Sequence, residues 1–284
     1  MLKYKSINSM NSGIIYNYSR LRFSLFFLPL FLLAAIVLLL YSQNALTVSE
    51  YIAIQKESFF FLNYHLGHYP KLEYNLTQFG DALVFLSFLS ILILYVPKIW
   101  ECLFSGLLVS LLFSCSLKNI FAVPRPAVIF NNDSFFIIGK AVCGHNSLPS
   151  GHSITVFTVL TVLLYAFMPK KLKFRVLWIF SILITGLVLV FTRVGVGAHY
   201  PIDVVTGSII GYTSGLIGIF ISRKYKIWNW ISNAKYYPVL VVLFLICAVL
   251  LITRLLNENL LVYYYAFISL AVSLFKIIQA YVKR

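Results

Sequence analysis

Residues 192–203 contain an arginine, a histidine and an aspartate between two apolar stretches. Ionisable groups at the edge of a membrane span are costly, and they mark functional sites by default. Pro201 suits the first turn of a helix, where its missing N–H is not needed. Asp203 would then lie inside that helix, close enough to contact His199 just before it. A carboxylate on one ring nitrogen fixes the imidazole tautomer and leaves the other nitrogen free to react.

The same residues also fit a structural role, in which an Arg–Asp pair anchors the helix end and the histidine is a bystander. Two further polar segments favour chemistry. Lys118 ends an apolar stretch, and no segment long enough to cross a membrane follows before His152. The 39 residues 153–191 then match the length of two spans and a turn. All three polar segments are therefore predicted to face the same side of the membrane.

The motif residues carry three cations against one anion. Lys118, Arg125 and Arg193 supply the positive charges, and Asp203 supplies the negative one. An arginine fork binds two phosphate oxygens at once, while lysine adds a point charge. The cluster therefore suits an anion that has several oxygens.

Residues 149–152 read Pro-Ser-Gly-His and predict the start of a helix. Ser150 is a typical N-cap residue, and the N–H groups of Gly151 and His152 would open the helix. A helix N-terminus with glycine beside it is a ready anion site. Together with the cations, it predicts a phosphate site that needs no metal. His152 and His199 would supply an acid and a nucleophile or base.

The composition places these motifs in a membrane protein. Of the 284 residues, 61% are hydrophobic and 11% are charged, whereas soluble domains are about 45–50% apolar and about 25% charged. A net charge of +15 would suggest nucleic acid in a soluble chain. Here it follows the positive-inside rule, so no nucleic-acid partner is expected. The four cysteines predict no disulfide framework.

Hydropathy predicts an all-α, polytopic membrane bundle of about eight transmembrane helices. Residues 43–75 are mixed and aromatic, and they predict an amphipathic helix in the interface. The chain then divides into a cytoplasmic segment (1–22), a first span with the interfacial segment (23–75), a core with all three motifs (76–222), and a basic linker with a C-terminal hairpin (223–284). The eight predicted spans are 23–42, 76–96, 99–117, 151–168, 176–192, 202–222, 236–253 and 260–281.

Basic residues predict the orientation. Of 23 lysines and arginines, 16 fall on one face, which the positive-inside rule places in the cytoplasm. Both termini would then be cytoplasmic, and the three motifs would face outward. The 16 residues are Lys3, Lys5, Arg20, Arg22, Lys98, Lys170, Lys171, Lys173, Arg175, Arg223, Lys224, Lys226, Lys235, Lys276, Lys283 and Arg284.

The three motifs resemble the tripartite signature of the type 2 phosphatidic acid phosphatase family, which is related to vanadium haloperoxidases and glucose-6-phosphatases. Each motif alone is weak, but three in order, at spacings that fit two spans, form a specific signal. The resemblance covers residues 76–222 within a six-helix phosphatase core, and the C-terminal hairpin lies outside it. Thr192 stands where the family usually has serine. The motifs read Lys118-x6-Arg125-Pro126, Pro149-Ser150-Gly151-His152 and Arg193-x5-His199-x3-Asp203.

The resemblance implies a role for each motif residue. His199 would attack phosphorus and become a phosphohistidine, and Asp203 would orient it. His152 would protonate the leaving oxygen and then activate water. The residues that would hold the phosphoryl oxygens are Lys118, Arg125, Ser150, Gly151 and Arg193.

The expected protein is a hydrolase without metal or cofactor that acts on a lipid phosphate at the outer leaflet of a bacterial cytoplasmic membrane. The candidate substrates are polyprenyl pyrophosphate, phosphatidic acid, phosphatidylglycerol phosphate and a lipid A phosphate. A phosphotransferase that passes the phosphoryl group from His199 to another lipid is the alternative. An anion transporter is less favoured, because transporters bind at the midplane between paired repeats. Head-group specificity and oligomeric state stay open.

Overall fold

The computed structural model describes residues 2–283, with side chains for residues 10–283. Within that range the chain forms helices and no strands, so the predicted all-α fold is confirmed. The helices are α1 (Leu2–Ser19), α2 (Phe27–Ser42), α3 (Val48–Ala53), α4 (Lys56–Gly67), α5 (Pro70–Thr77), α6 (Ala82–Leu89), α7 (Leu92–Tyr95), α8 (Pro97–Phe121), α9 (Pro126–Ile129), α10 (Gly151–Ala166), α11 (Leu172–Gly195), α12 (Pro201–Lys224), α13 (Tyr237–Glu258) and α14 (Leu261–Val282).

Six helical segments in the described chain are long and apolar enough to cross a membrane. Two of the eight predicted spans, 151–168 and 76–96, are not among these six segments. α10 has 16 residues, about 24 Å of helix, and is shorter than a typical span. The stretch 76–96 is broken into the end of α5, a 3-10 turn, α6 and α7. The six segments are Phe23–Ser42, Pro97–Ile129, Leu172–Gly195, Pro201–Lys224, Ala234–Glu258 and Leu261–Val282.

The centre of the bundle is α12, which packs on α8 and α10. Glycines along one stripe of α12 allow this close approach, as small residues commonly do between membrane helices. A Cβ atom at Gly207 would meet the Ser150 carbonyl oxygen, and one at Gly218 would meet the backbone of Gly106 in α8. The start of α12, which carries Asp203, is thereby fixed against the start of α10.

Residues 43–77 differ from the sequence prediction, because they form three short helices instead of one amphipathic helix. Pro70 starts a new helix, and buried polar side chains tie the segment to the loops beside α11. The Asn63 amide donates to the carbonyl oxygens of Val194 and Gly195, each at 3.0 Å. The segment therefore packs on the end of the bundle that holds the sequence motifs.

The C-terminal hairpin of α13 and α14, which had no predicted role, packs on the broken segment 76–96. It shares a hydrophobic cluster with Val84, Ile93 and Trp100. Polar contacts reinforce the packing: Arg254 Nη1 lies 2.8 Å from Asp81 Oδ2, and the hydroxyls of Ser90 and Ser273 lie 2.8 Å apart. Asp81 also caps α6 through the Leu83 N–H. The hairpin thus supports residues 76–96, which form short helices instead of one long helix.

α1 packs at the opposite end of α10 from the motifs. The Tyr18 hydroxyl donates to the Val162 carbonyl at 3.1 Å, and the Asn17 amide donates to the Ala166 carbonyl at 2.9 Å. Asn17 therefore satisfies a carbonyl of the last turn of α10, which lacks a partner within the helix.

Candidate active site

His199 lies in the tight loop between α11 and α12. The N–H groups of Ala198 and His199 both donate to the Arg193 carbonyl, and Gly197 has a φ of +77°, which favours glycine. Pro201 then starts α12 at its first turn. The loop buries the imidazole almost completely, with 1% of His199 exposed.

The two ring nitrogens of His199 face groups of opposite charge. Nδ1 lies 3.4 Å from Asp203 Oδ2, and Nε2 lies 3.2 Å from Arg125 Nη1. A guanidinium can only donate, so Nε2 must accept. The ring proton is therefore on Nδ1, and the lone pair of Nε2 points towards the cations.

Asp203 is fully buried and receives three hydrogen bonds besides its contact with the imidazole. The Tyr51 hydroxyl donates to Oδ1 at 2.7 Å. The Ser147 hydroxyl donates to Oδ2 at 2.6 Å, and the Tyr200 N–H donates to the same atom at 3.0 Å. These donors favour the ionised carboxylate and hold it in place, because buried polar groups are stable only when they are hydrogen-bonded.

Arg125 and Arg193 reach the site from different segments. Arg125 is held by the Asn146 side chain, which accepts from Nε at 2.7 Å, and by the Ala198 carbonyl at 3.1 Å. Arg193 donates from Nη1 to the Thr77 hydroxyl at 2.9 Å, and its buried Nε has no hydrogen-bond partner in the described structure. Both guanidinium groups are less than 10% exposed, so an oxyanion beside them would be largely shielded from water.

Lys118 lies over the first residue of α10. A Cβ atom at Gly151 would be 3.2 Å from the Lys118 ammonium nitrogen and 3.3 Å from the Ser114 hydroxyl oxygen. Glycine therefore lets the ammonium group approach the helix N-terminus. Ser150 caps α10, since its side-chain oxygen accepts from the Ser153 N–H at 3.4 Å. The Ser150 side chain is fully buried.

The His152 side chain belongs to the same cluster. It interacts electrostatically with His199, Arg193 and Lys118, and it packs directly against Gly80, where any side chain would overlap the imidazole. The structure therefore brings together all eight residues that the sequence predicts for the site.

Burial and the nearby positive charges shift the pKa of His199. Loss of hydration lowers the pKa of the imidazole well below its usual value, and the Arg125, Arg193 and Lys118 charges lower it further. His199 is thus neutral at pH 7, in the form that can act as a nucleophile. Burial raises the pKa of Tyr51, and the negative charge of Asp203 adds to this effect, so Tyr51 remains a hydrogen-bond donor.

Five supporting residues were missed by the sequence analysis. None lies within the three motifs, and each is an ordinary polar residue or glycine whose position depends on tertiary packing. The five residues are Tyr51, Thr77, Gly80, Asn146 and Ser147. Beside them, the Gln55 side-chain amide donates to the Tyr51 carbonyl, and its oxygen accepts from the Ile202 N–H.

Within residues 2–283, no group of three or more His, Cys, Asp or Glu side chains forms a candidate metal site.

The family model for the PAP2 superfamily matches residues 100–227, the region that contains all three motifs. This region of the chain resembles the PAP2 superfamily. The chain is similar to a lipid A 4'-phosphatase from Bacteroides thetaiotaomicron, with 28% identity over 170 residues that cover 55% of this chain and 72% of the relative. It also resembles the crystal structure of Aquifex aeolicus LpxE, with 23% identity, a TM-score of 0.49, and coverage of 61% of this chain and 96% of that one. The superfamily match and the lipid A 4'-phosphatase relative support a lipid phosphate phosphatase, and the long apolar helices support an integral membrane protein.

Proposed function

We propose that the protein hydrolyses a phosphate ester of a membrane lipid without a metal, through a phosphohistidine at His199. The observation that carries the proposal is the arrangement around His199. Its Nε2 lone pair faces the guanidinium of Arg125, while its Nδ1–H faces a carboxylate that is itself held by three donors. A neutral nucleophile is thus aimed at a site suited to the oxygens of a phosphate.

In the first step, Nε2 of His199 attacks phosphorus and the bond from phosphorus to the lipid oxygen breaks. The negative charge of the bound phosphate favours the protonated form of His152, which donates its proton to that oxygen, so the lipid leaves as an alcohol. Positive charge develops on the His199 ring, and Asp203 stabilises it through Nδ1. The charge on the phosphoryl oxygens is met by Arg125, Arg193 and Lys118, which supply the stabilisation that a metal provides in other phosphatases.

In the second step, water attacks the phosphohistidine. His152, now neutral, takes a proton from that water, and the bond from phosphorus to Nε2 breaks. Inorganic phosphate leaves and both histidines return to their starting states. The N–H groups of Gly151 and His152, with the Ser150 cap, add the positive end of the α10 dipole to the same oxygens.

A lipid A phosphate is the substrate that we favour. The similarity to a lipid A 4'-phosphatase supports it, and so does the location of the reacting groups at one end of a bundle of apolar helices. By the distribution of basic residues, that end faces away from the cytoplasm in the cytoplasmic membrane of a bacterium, so the substrate would be in the outer leaflet.

Phosphate release by purified protein in detergent tests the proposal. The substrates are lipid A, phosphatidic acid, phosphatidylglycerol phosphate and polyprenyl pyrophosphate, each with an excess of chelator. We expect the highest kcat/KM on lipid A, inhibition by vanadate, and activity that survives the chelator. Failure on all four lipids, or activity that requires added zinc or magnesium, would contradict the proposal. Phosphate found on an added lipid acceptor instead of in solution would identify a phosphotransferase.

A further inference from the structure

A long apolar groove lies between α2 and α11, with α10 and α12 as its floor. It encloses about 1110 Å³, whereas ligand sites are typically about 300–1,000 Å³. α11 lines it from Arg175 to Phe191, about 24 Å of helix. Its side walls are aliphatic, with Leu32, Leu183 and Leu187 each 39–44% exposed. The groove therefore has the length and character to hold acyl chains.

One end of the groove is basic. Arg20, Lys170 and Arg175 line it at the end near the last turn of α10. The Arg20 guanidinium donates to the Tyr16 hydroxyl at 3.5 Å and lies over the Tyr16 ring, and Arg175 donates to two backbone carbonyl oxygens at 3.4 Å. None of the three forms an ion pair with a carboxylate among residues 10–283. No carboxylate of residues 10–283 therefore pairs with the three positive charges at the mouth of the apolar groove.

The groove is distinct from the candidate active site. None of the eight residues assigned to phosphate chemistry lines it, and its basic end lies at the opposite end of α10 from Gly151 and His152. A lipid with its head group at Arg20 and Arg175 would have its phosphate about one helix length, roughly 24 Å, from His199.

We propose that this groove binds an anionic phospholipid of the leaflet opposite the active site. Its phosphate would contact Arg20, Lys170 and Arg175, and its chains would lie along α11 between Leu183 and α2. Basic pockets between transmembrane helices on the cytoplasmic side bind anionic lipid head groups in this way. Three like charges select an anionic head group over a zwitterionic one. The bound lipid would join α2 to α10, α11 and α12.

The test compares lipid retention in two charge-matched variants of the full chain. One variant carries Arg20→Gln, Lys170→Gln and Arg175→Gln. The control carries Lys173→Gln, Lys224→Gln and Lys226→Gln, which remove the same charge at the same end outside the groove. Detergent-purified protein is incubated with phosphatidylglycerol or phosphatidylcholine, and bound lipid and Tm are measured. The groove variant should retain at least about tenfold less phosphatidylglycerol and lose its rise in Tm, while wild type and control keep both.

Equal retention by the groove variant and the control, or an equal rise in Tm with phosphatidylcholine, would overturn the proposal. A photoactivatable phosphatidylglycerol with its reactive group in an acyl chain gives an independent result on the wild-type chain. Cross-links to residues 179–191 of α11 and to α2 support the proposal, and cross-links confined to other helices contradict it. If Leu183→Trp raises KM for a long-chain substrate and leaves phosphatidylglycerol retention unchanged, the groove instead holds the chains of the substrate.

Discussion

The hydroxyl of Tyr51 donates a hydrogen bond to Asp203 Oδ1 over 2.7 Å, and both side chains are buried. Tyr51 comes from α3, 152 residues earlier in the chain and outside the region that matches the family model. The other carboxylate oxygen, Oδ2, is the one that faces His199 Nδ1. Tyr51 therefore positions the carboxylate that orients the proposed nucleophile.

Removing the Tyr51 hydroxyl tests this positioning role. We expect Tyr51→Phe to lower kcat by roughly tenfold and to leave KM nearly unchanged, because a hydrogen bond to a charged group contributes about 1.5–3 kcal/mol. Tyr69→Phe is the matched control, since Tyr69 is 66% exposed in the same segment. Equal kcat values for the two variants would show that Asp203 does not depend on Tyr51.

The acid limb of the pH profile should report His199. Its pKa lies below the usual value of about 6.5 because of burial and the cations around it. Protonation removes the nucleophile, so kcat/KM should fall only when the pH drops below about 6.5. In Arg125→Gln one of those cations is gone, so the pKa of His199 should rise and the acid limb should move to higher pH. Arg175→Gln, at the other end of the bundle, should leave the limb in place. An unmoved limb in Arg125→Gln would contradict the assignment.

Topology is tested by Cys143, which is exposed in the loop between α9 and α10. If the active site faces away from the cytoplasm, an impermeant thiol reagent should label intact cells, and Cys143→Ser should abolish the labelling. Labelling that appears only after the cells are opened would place the site in the cytoplasm and reverse the leaflet assignment.

His152 should matter more when the leaving group is poor. An alkoxide from a lipid monophosphate needs the proton, whereas phosphate leaving from a pyrophosphate is a stable anion. General acid catalysis contributes about 10²–10⁴-fold. We expect His152→Ala to lose more kcat/KM on the monophosphate than on a matched pyrophosphate, and His199→Ala to lose both equally. Equal losses for His152→Ala would remove its role as the acid.

The fold class and the motif residues could be predicted from the sequence, because both depend on local patterns. Hydropathy identifies apolar helices, and the motif spacings match the lengths of spans and turns. The two motifs near His152 and His199 also contain their own start signals, in the Ser150 cap and in Pro201. These features required no knowledge of tertiary packing.

The roles of the supporting residues could not be predicted from the sequence, because they depend on tertiary packing. Tyr51 and Thr77 lie in a segment for which the sequence predicts an amphipathic helix, and only the folding of that segment over the site gives them partners. Gly80 packs against His152 because the stretch 76–96 is broken and braced by the C-terminal hairpin. Hydropathy predicts a continuous span through this stretch, because it reports apolar character but not helix breaks.

The proposed mechanism passes through a covalent phosphoenzyme on His199, and this intermediate can be trapped. In His152→Ala the first step on a pyrophosphate needs little acid, but the second step lacks its base, so the intermediate should accumulate. The protein is mixed with a lipid pyrophosphate, quenched in alkali and digested, and the phosphorylated peptide is sequenced by mass spectrometry. We expect acid-labile phosphate on His199 and none in the double variant with His199→Gln. Phosphate on any other residue, or turnover by the double variant, would contradict this mechanism.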